Sequence, residues 1–254
     1  DVNRLKYLHN QQSEKPITSH MEQDSNDVIE SLKILNSCKD EICLIKKLVT
    51  NYDEQNMMMM NNFAPFAPES WRKNPKTWLN SNDIKRVLNQ YEEADPEFCF
   101  IGPSPIDWEY RKIDKCVCQK LCDFDLNNYQ EQGKNKVFIV FNYDKHNEPG
   151  SHWVSMYINV PKHEFCFFDS QGFRCPPRIK QLYHKMQARY GDCSFESNYN
   201  IIHQKHNSEC GMYCILFAQK MMTGSNFKEC FCDKNKKIPD KEMLNMRNHV
   251  FNMR

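Results

Sequence analysis

No apolar run in the 254-residue sequence approaches the roughly 20 residues that a bilayer-spanning helix needs, and Asp1 to Asn10 lack the apolar stretch of a secretion signal. These absences argue against a membrane partner and point to a soluble, cytoplasmic protein. Excess charge of either sign is also lacking. The 34 Lys and Arg nearly balance 33 Asp and Glu, giving a formal net charge of +1, so no global field draws the chain to nucleic acid or to an anionic membrane. The basic clusters within Lys33 to Lys47 and Lys234 to Lys237 read as solvated faces. The Cys-x-x-Cys pairs typical of structural zinc sites are missing. Cys116, Cys118 and Cys122, and the pair Cys230 and Cys232, have other spacings, so neither a metal nor a cofactor is expected. Glycine is scarce at seven residues, and no internal repeat is visible.

Cysteine is not scarce. Thirteen thiols, an odd number, occur in a chain with the length and charged fraction of an ordinary globular protein and not of a small disulfide scaffold. They are expected to be reduced and to serve mainly as small buried hydrophobes.

Val28, Ile29, Leu32 and Leu35 fall at helical spacing, and Ile42, Ile45, Leu48, Val49 and Tyr52 repeat the pattern. Residues 1–70 are therefore read as a small helical arm ending in a linker that holds Met57 to Met60, Pro65 and Pro68. Residues 71–254 carry a different alternation. A helix is predicted from Trp78 to Tyr91, then β-rich runs at Val137 to Tyr143, Trp153 to Val160 and Glu164 to Asp169. A helix from Arg178 to Tyr190, a short strand from Tyr199 to Ile202, a helix opened by Cys210 and a last helix from Asp240 to Phe251 follow. The sum is an α+β domain with a central, mostly antiparallel sheet flanked by helices.

Three of the seven glycines, Gly150, Gly172 and Gly211, lie within three residues of a His, Asp or Cys. His152 stands at the entry to one predicted strand and Asp169 at the exit of the next. If those strands are antiparallel neighbours, the two side chains meet at one end of the sheet. Cys210 begins a buried helix, where the partial positive charge of the helix start favours a thiolate. His152 can then take and return a proton while Asp169 fixes its tautomer. Gln204, six residues before Cys210, can supply an amide N–H that joins the backbone N–H of Cys210 in an oxyanion hole. Each residue alone has an ordinary reading as a structural His, a turn-forming Asp or a buried Cys. Their order and local context agree at four positions.

The text His152-Trp153, Phe168-Asp169-Ser170 and Gln204 to Cys210-Gly211 resembles the Ulp/SENP-like and adenain-like cysteine proteases, over roughly Trp71 to Arg254. The resemblance implies a papain-type core in which Trp78 and Trp153 bind substrate by flanking a tunnel that admits Gly-Gly. Cys210, followed by Gly211, the ending Asp240 to Phe251 and the N-terminal helical extension are most similar to the virion-processing proteases of large DNA viruses, African swine fever virus among them. That viral enzyme has Asn where this chain has Asp169. The resemblance therefore implies an endopeptidase that matures viral structural polyproteins after Gly-Gly-x sites, in host cytoplasm or virion. The rival enzyme reading removes SUMO, ubiquitin or a related modifier from conjugates. A clan acyltransferase would bring a cofactor-binding insertion, which is not found here. The non-enzyme reading is an inert protease fold kept as a binding module. Adenain-like enzymes raise a peptide or nucleic-acid activator, for which no residue pattern here speaks.

Overall fold

A computed structural model describes residues 2–13, 25–51, 54, 55, 58 and 64–252. The chain divides into two compact units, Asp1–Phe63 and Ala64–Arg254. Composition places the boundary near Trp71, but the segment before it pairs with the far end of the chain. Asn252 N–H donates to Pro65 O, and Ala67 N–H donates to Asn252 O.

The smaller unit holds α1 (Val2–Gln12), α2 (Ser25–Leu35) and α3 (Glu41–Leu48). Asp40 caps α3, its Oδ1 accepting the Cys43 N–H at 2.7 Å. Leu5, Val28, Leu32, Leu44, Ile45 and Leu48 form the core, and Met58 is buried with them. Tyr52, Met57, Met59 and Met60 lie outside the described residues.

Two pairs of cysteines correct the expectation of reduced thiols throughout. Cys38 is bonded to Cys43 and, in the larger unit, Cys116 to Cys122. Each pair is separated by a tight reversal that returns the chain to a Cα–Cα distance of 5.5 or 6.6 Å, within disulfide reach. Overall composition cannot reveal such local closure.

The larger unit runs through α4 (Ser81–Ala94), β1 (Phe98–Pro105), a hairpin of β2 (Arg111–Lys112) and β3 (Lys115–Cys116), α5 (Gln119–Cys122), α6 (Leu126–Glu131), β4 (Lys136–Asn142), β5 (Trp153–Asn159), β6 (Glu164–Phe168), α7 (Pro177–Tyr190), β7 (Ser194–Ser197), α8 (Cys210–Met222), α9 (Phe227–Phe231) and α10 (Asp240–Val250). The main sheet has the order β1-β4-β5-β6-β7. Its centre is antiparallel, as expected, but both outer pairings are parallel, so the sheet is mixed. α4, α8 and α10 pack on one face, and α7 with the β1–β4 connection packs on the other. The nearly all-apolar strands β4 to β6 follow from burial on both faces. Among the described residues, no helix is long and apolar enough to cross a membrane.

The strand expected at Tyr199 to Ile202 is not formed. The fifth strand is instead Ser194–Ser197, a polar edge strand, and the expected segment is a turn whose Ile201 is buried while Tyr199 and Ile202 are exposed.

Candidate active site

The sheet places His152 immediately before β5 and Asp169 immediately after β6. Because these strands are antiparallel, with Ser155 opposite Phe168, entry and exit meet at one end. His152 Nε2 lies 2.8 Å from Asp169 Oδ1. Asp169 is fully buried, and its charge is met on several sides. The Tyr143 hydroxyl donates to Oδ2 at 2.6 Å, and the Gln171 N–H donates to Oδ1 at 2.8 Å. Asn198 brackets the Asp169 backbone, accepting its N–H at 2.9 Å and donating to its carbonyl at 2.7 Å. The carboxylate is therefore fixed in position and orientation. Burial, reinforced by Asp169, pushes the Tyr143 hydroxyl far above its ordinary range, so it stays a neutral donor.

With Nε2 bound to Asp169, Nδ1 is the ring nitrogen left to face Cys210, which lies close enough to influence the imidazole. Burial alone would lower the imidazole pKa. The hydrogen bonds to Asp169 and then Cys210 more than offset it and raise the value to about 9. This arrangement favours an imidazolium beside the sulfur over a wide pH range.

Cys210 is buried at the first position of α8. The preceding residue, Glu209, makes no side-chain cap bond. The first-turn N–H groups and the dipole of a 13-residue helix are thus directed at the sulfur's end of the helix. Gly211 matters by close approach, since an added Cβ would lie 3.0 Å from Leu79 Cβ. Burial pushes the Cys214 and Cys166 thiols well above the ordinary range and Cys99 to about 11, which favours their protonated form.

Gln204 joins the group through Ser170. The Ser170 hydroxyl donates to Gln204 Oε1 at 2.6 Å, and the Gln204 N–H donates to Ser170 O at 2.8 Å. One Gln204 amide hydrogen goes to His206 O at 2.5 Å, and no protein acceptor among the described residues takes the second. Gly172, at φ +71°, permits this junction. A Cβ there would lie 2.8 Å from the Ile201 carbonyl oxygen. Trp153 is buried, its indole N–H donating to Leu79 O at 2.9 Å, whereas Trp78 is 40% exposed. Both line a cleft of about 410 Å³ that reaches His152.

The pattern of the Ulp1 protease family, C-terminal catalytic domain, matches residues 127–254, just over half of the chain. The chain belongs to the Ulp1 protease family. A relative from Acanthamoeba polyphaga mimivirus, named as a thiol protease, is 30% identical over 193 residues, covering 74% of this chain and 62% of the relative. The chain thus spans about three fifths of that relative's length. Among solved structures, an ASFV protease superposes with a TM-score of 0.65 at 19% identity, covering 95% of this chain and 93% of that one. The SUMO protease Ulp1 superposes with a TM-score of 0.50 at 13% identity, covering 79% of this chain and 92% of that one. At these identities the structural likeness concerns the fold.

The structure brings together His152, Asp169, Cys210 and, through Ser170, Gln204, and it sets Trp78 and Trp153 on one cleft beside them. Sequence reasoning missed Tyr143 and Asn198. Tyr143 ends the β-rich run that begins at Val137, and in the structure its N–H pairs with His152 O. Nothing in the local sequence marks Asn198.

If Gln204 is an oxyanion donor, Gln204→Ala lowers kcat by about 10²- to 10³-fold with little change in KM. Steady-state kinetics check this, and unchanged turnover would remove Gln204 from the site.

Proposed function

We propose that this member of the Ulp1 protease family is a cysteine endopeptidase that cleaves after small residues, at Gly-Gly-x sites, and matures structural polyproteins of a large DNA virus. The observation that carries the chemistry is the buried Asp169–His152 pair set against Cys210 at the start of α8. The mimivirus relative and the fold shared with the ASFV protease support the viral setting.

In the first step, the Cys210 thiolate attacks the scissile carbonyl carbon. The resulting oxyanion is met by the Cys210 backbone N–H and the free Gln204 amide hydrogen. His152, protonated and held by Asp169, gives its Nδ1 proton to the departing amine as the C–N bond breaks, leaving an acyl-thioester. A water then attacks the thioester while His152 accepts one of its protons, the C–S bond breaks to restore the Cys210 thiolate beside protonated His152, and the carboxylic acid product leaves and ionises in solvent. Trp78 and Trp153 wall the approach, so main chain without side chains fits best between them.

The test is incubation of the protein with Gly-Gly-x peptides beside SUMO and ubiquitin fusions. Efficient cleavage of peptides supports the endopeptidase reading, and cleavage confined to folded modifier fusions would replace it with deconjugation. No cleavage of either would favour the inert binding module. Trp78→Ala is expected to lower the preference for Gly-Gly over Ala-Ala substrates by about tenfold, the worth of one or two methyl groups in a pocket. An unaltered ratio of kcat/KM values would exclude Trp78 from the gate.

A further inference from the structure

Arg247, on α10, lies buried against Ser208 and Glu209, the two residues before Cys210, and all five of its N–H donors are matched. Nε and Nη2 grip the two carboxylate oxygens of buried Glu209 at 2.8 and 2.9 Å. Nη1 donates to Pro75 O at 2.7 Å and Thr77 O at 3.0 Å, and Nη2 donates to Ser208 O at 3.2 Å. The guanidinium also stacks on Trp71 at 4.2 Å, and the Trp71 indole N–H shares the Thr77 carbonyl at 3.0 Å. One side chain therefore ties the residue preceding Trp78 to the residue preceding Cys210.

These two segments are the banks of a groove of about 550 Å³, lined by Asn74, Lys76, Thr77 and Trp78 on one side and His206, Asn207 and Ser208 on the other. Trp78 also borders the cleft that reaches His152, so an extended chain crossing Trp78 can occupy both spaces. The same helix holds the second bank at its other end. Asp240 Oδ2 accepts the N–H groups of Lys205 and His206 at 3.1 and 2.9 Å.

We propose that Arg247 is a positioning residue that holds the two banks of this groove in register, and so sets substrate main chain against Cys210. The inference rests on the endopeptidase reading and adds a residue that touches no reacting atom. A planar fork with five donors suits the task, whereas an ammonium with three cannot span all of these carbonyls and both carboxylate oxygens. Pairing Glu209 also keeps an uncompensated carboxylate away from the start of α8, where it would oppose a thiolate.

The test compares the full-length wild type with Arg247→Lys and with the double variant Glu209→Leu/Arg247→Met, which leaves neither charge buried alone. Two rates are measured, kcat/KM on a Gly-Gly-x peptide and alkylation of Cys210 by iodoacetamide across pH. Alkylation needs the thiolate but not the groove. Both variants are expected to lose about 100-fold in kcat/KM, the cost of a displacement near 1 Å, with alkylation within about threefold of wild type. If the double variant does not fold, Arg247→Lys decides. Cleavage within threefold of wild type by either folded variant overturns the inference, as does a loss of alkylation equal to the loss of cleavage. A wild type that neither cuts the peptide nor alkylates selectively at Cys210 instead overturns the protease reading itself.

Discussion

Cys210→Ala is expected to abolish cleavage, lowering kcat by at least about 10⁴-fold, because the remaining groups can stabilise an oxyanion but cannot form the acyl intermediate. The side chain is small and already buried, so the variant should retain the fold. Kinetics of the two proteins, with a thermal melt of each, give the result. The magnitude follows from the position. Cys210 has the helix start on one side and His152 on the other, whereas Cys214, one turn along the same helix, is held protonated by burial and has no comparable route to substrate. Cys214→Ala should therefore leave turnover within an order of magnitude of wild type.

His152→Ala should fall to nearly the level of Cys210→Ala, since residues that act as a unit fail together. Asp169→Asn should retain a measurable remainder. An Asn at this position can still accept from His152 Nε2, and its amide can donate to Tyr143, whose hydroxyl can accept as well as donate. What is lost is the charge. With His152 raised to about 9, the alkaline limb of kcat/KM should lie near pH 9, where the imidazolium loses the proton needed by the leaving amine. Asp169→Asn should move that limb to lower pH, because a neutral acceptor makes a weaker hydrogen bond to the imidazolium and the carboxylate's charge, which also raises the value, is gone. The stability linkage has a definite sign. The folded pKa is above the unfolded value of about 6.5, so the stabilisation by protonated His152 is fully present below that value and is lost as pH rises through about 9. A pH–rate profile with the same alkaline limb in wild type and Asp169→Asn would contradict this electrostatic account.

Much of the site was legible because its residues sit at changes of local pattern. His152 and Asp169 stand where strands begin and end, and Cys210 stands where a polar loop becomes an apolar helix, so periodicity marks the places and the scarce glycines beside them narrow the choice. The antiparallel centre of the sheet then follows from the short connections. The outer strands are harder to read. β1 contains Gly102, Pro103 and Pro105, which resemble turn punctuation, and its register shifts between Ile101 and Ser104. β7 is a polar edge strand, so the neighbouring apolar Ile201 and Ile202 attract the assignment wrongly. Asn198, Glu209 and Arg247 act through partners far away in sequence, and spacing carries no trace of such contacts. On α10, either Met246 or Arg247 could take the inward position. Arg247 takes it because Glu209 and three carbonyls await its donors, which reverses the usual rule that methionine is buried first.

The most direct measurement is peptide mapping by mass spectrometry after reaction with a Gly-Gly peptide bearing a thiol-reactive vinyl sulfone. The account predicts one adduct, on Cys210 among the thirteen cysteines, and loss of that adduct in His152→Ala. An adduct on another cysteine, or equal labelling in His152→Ala, would contradict it.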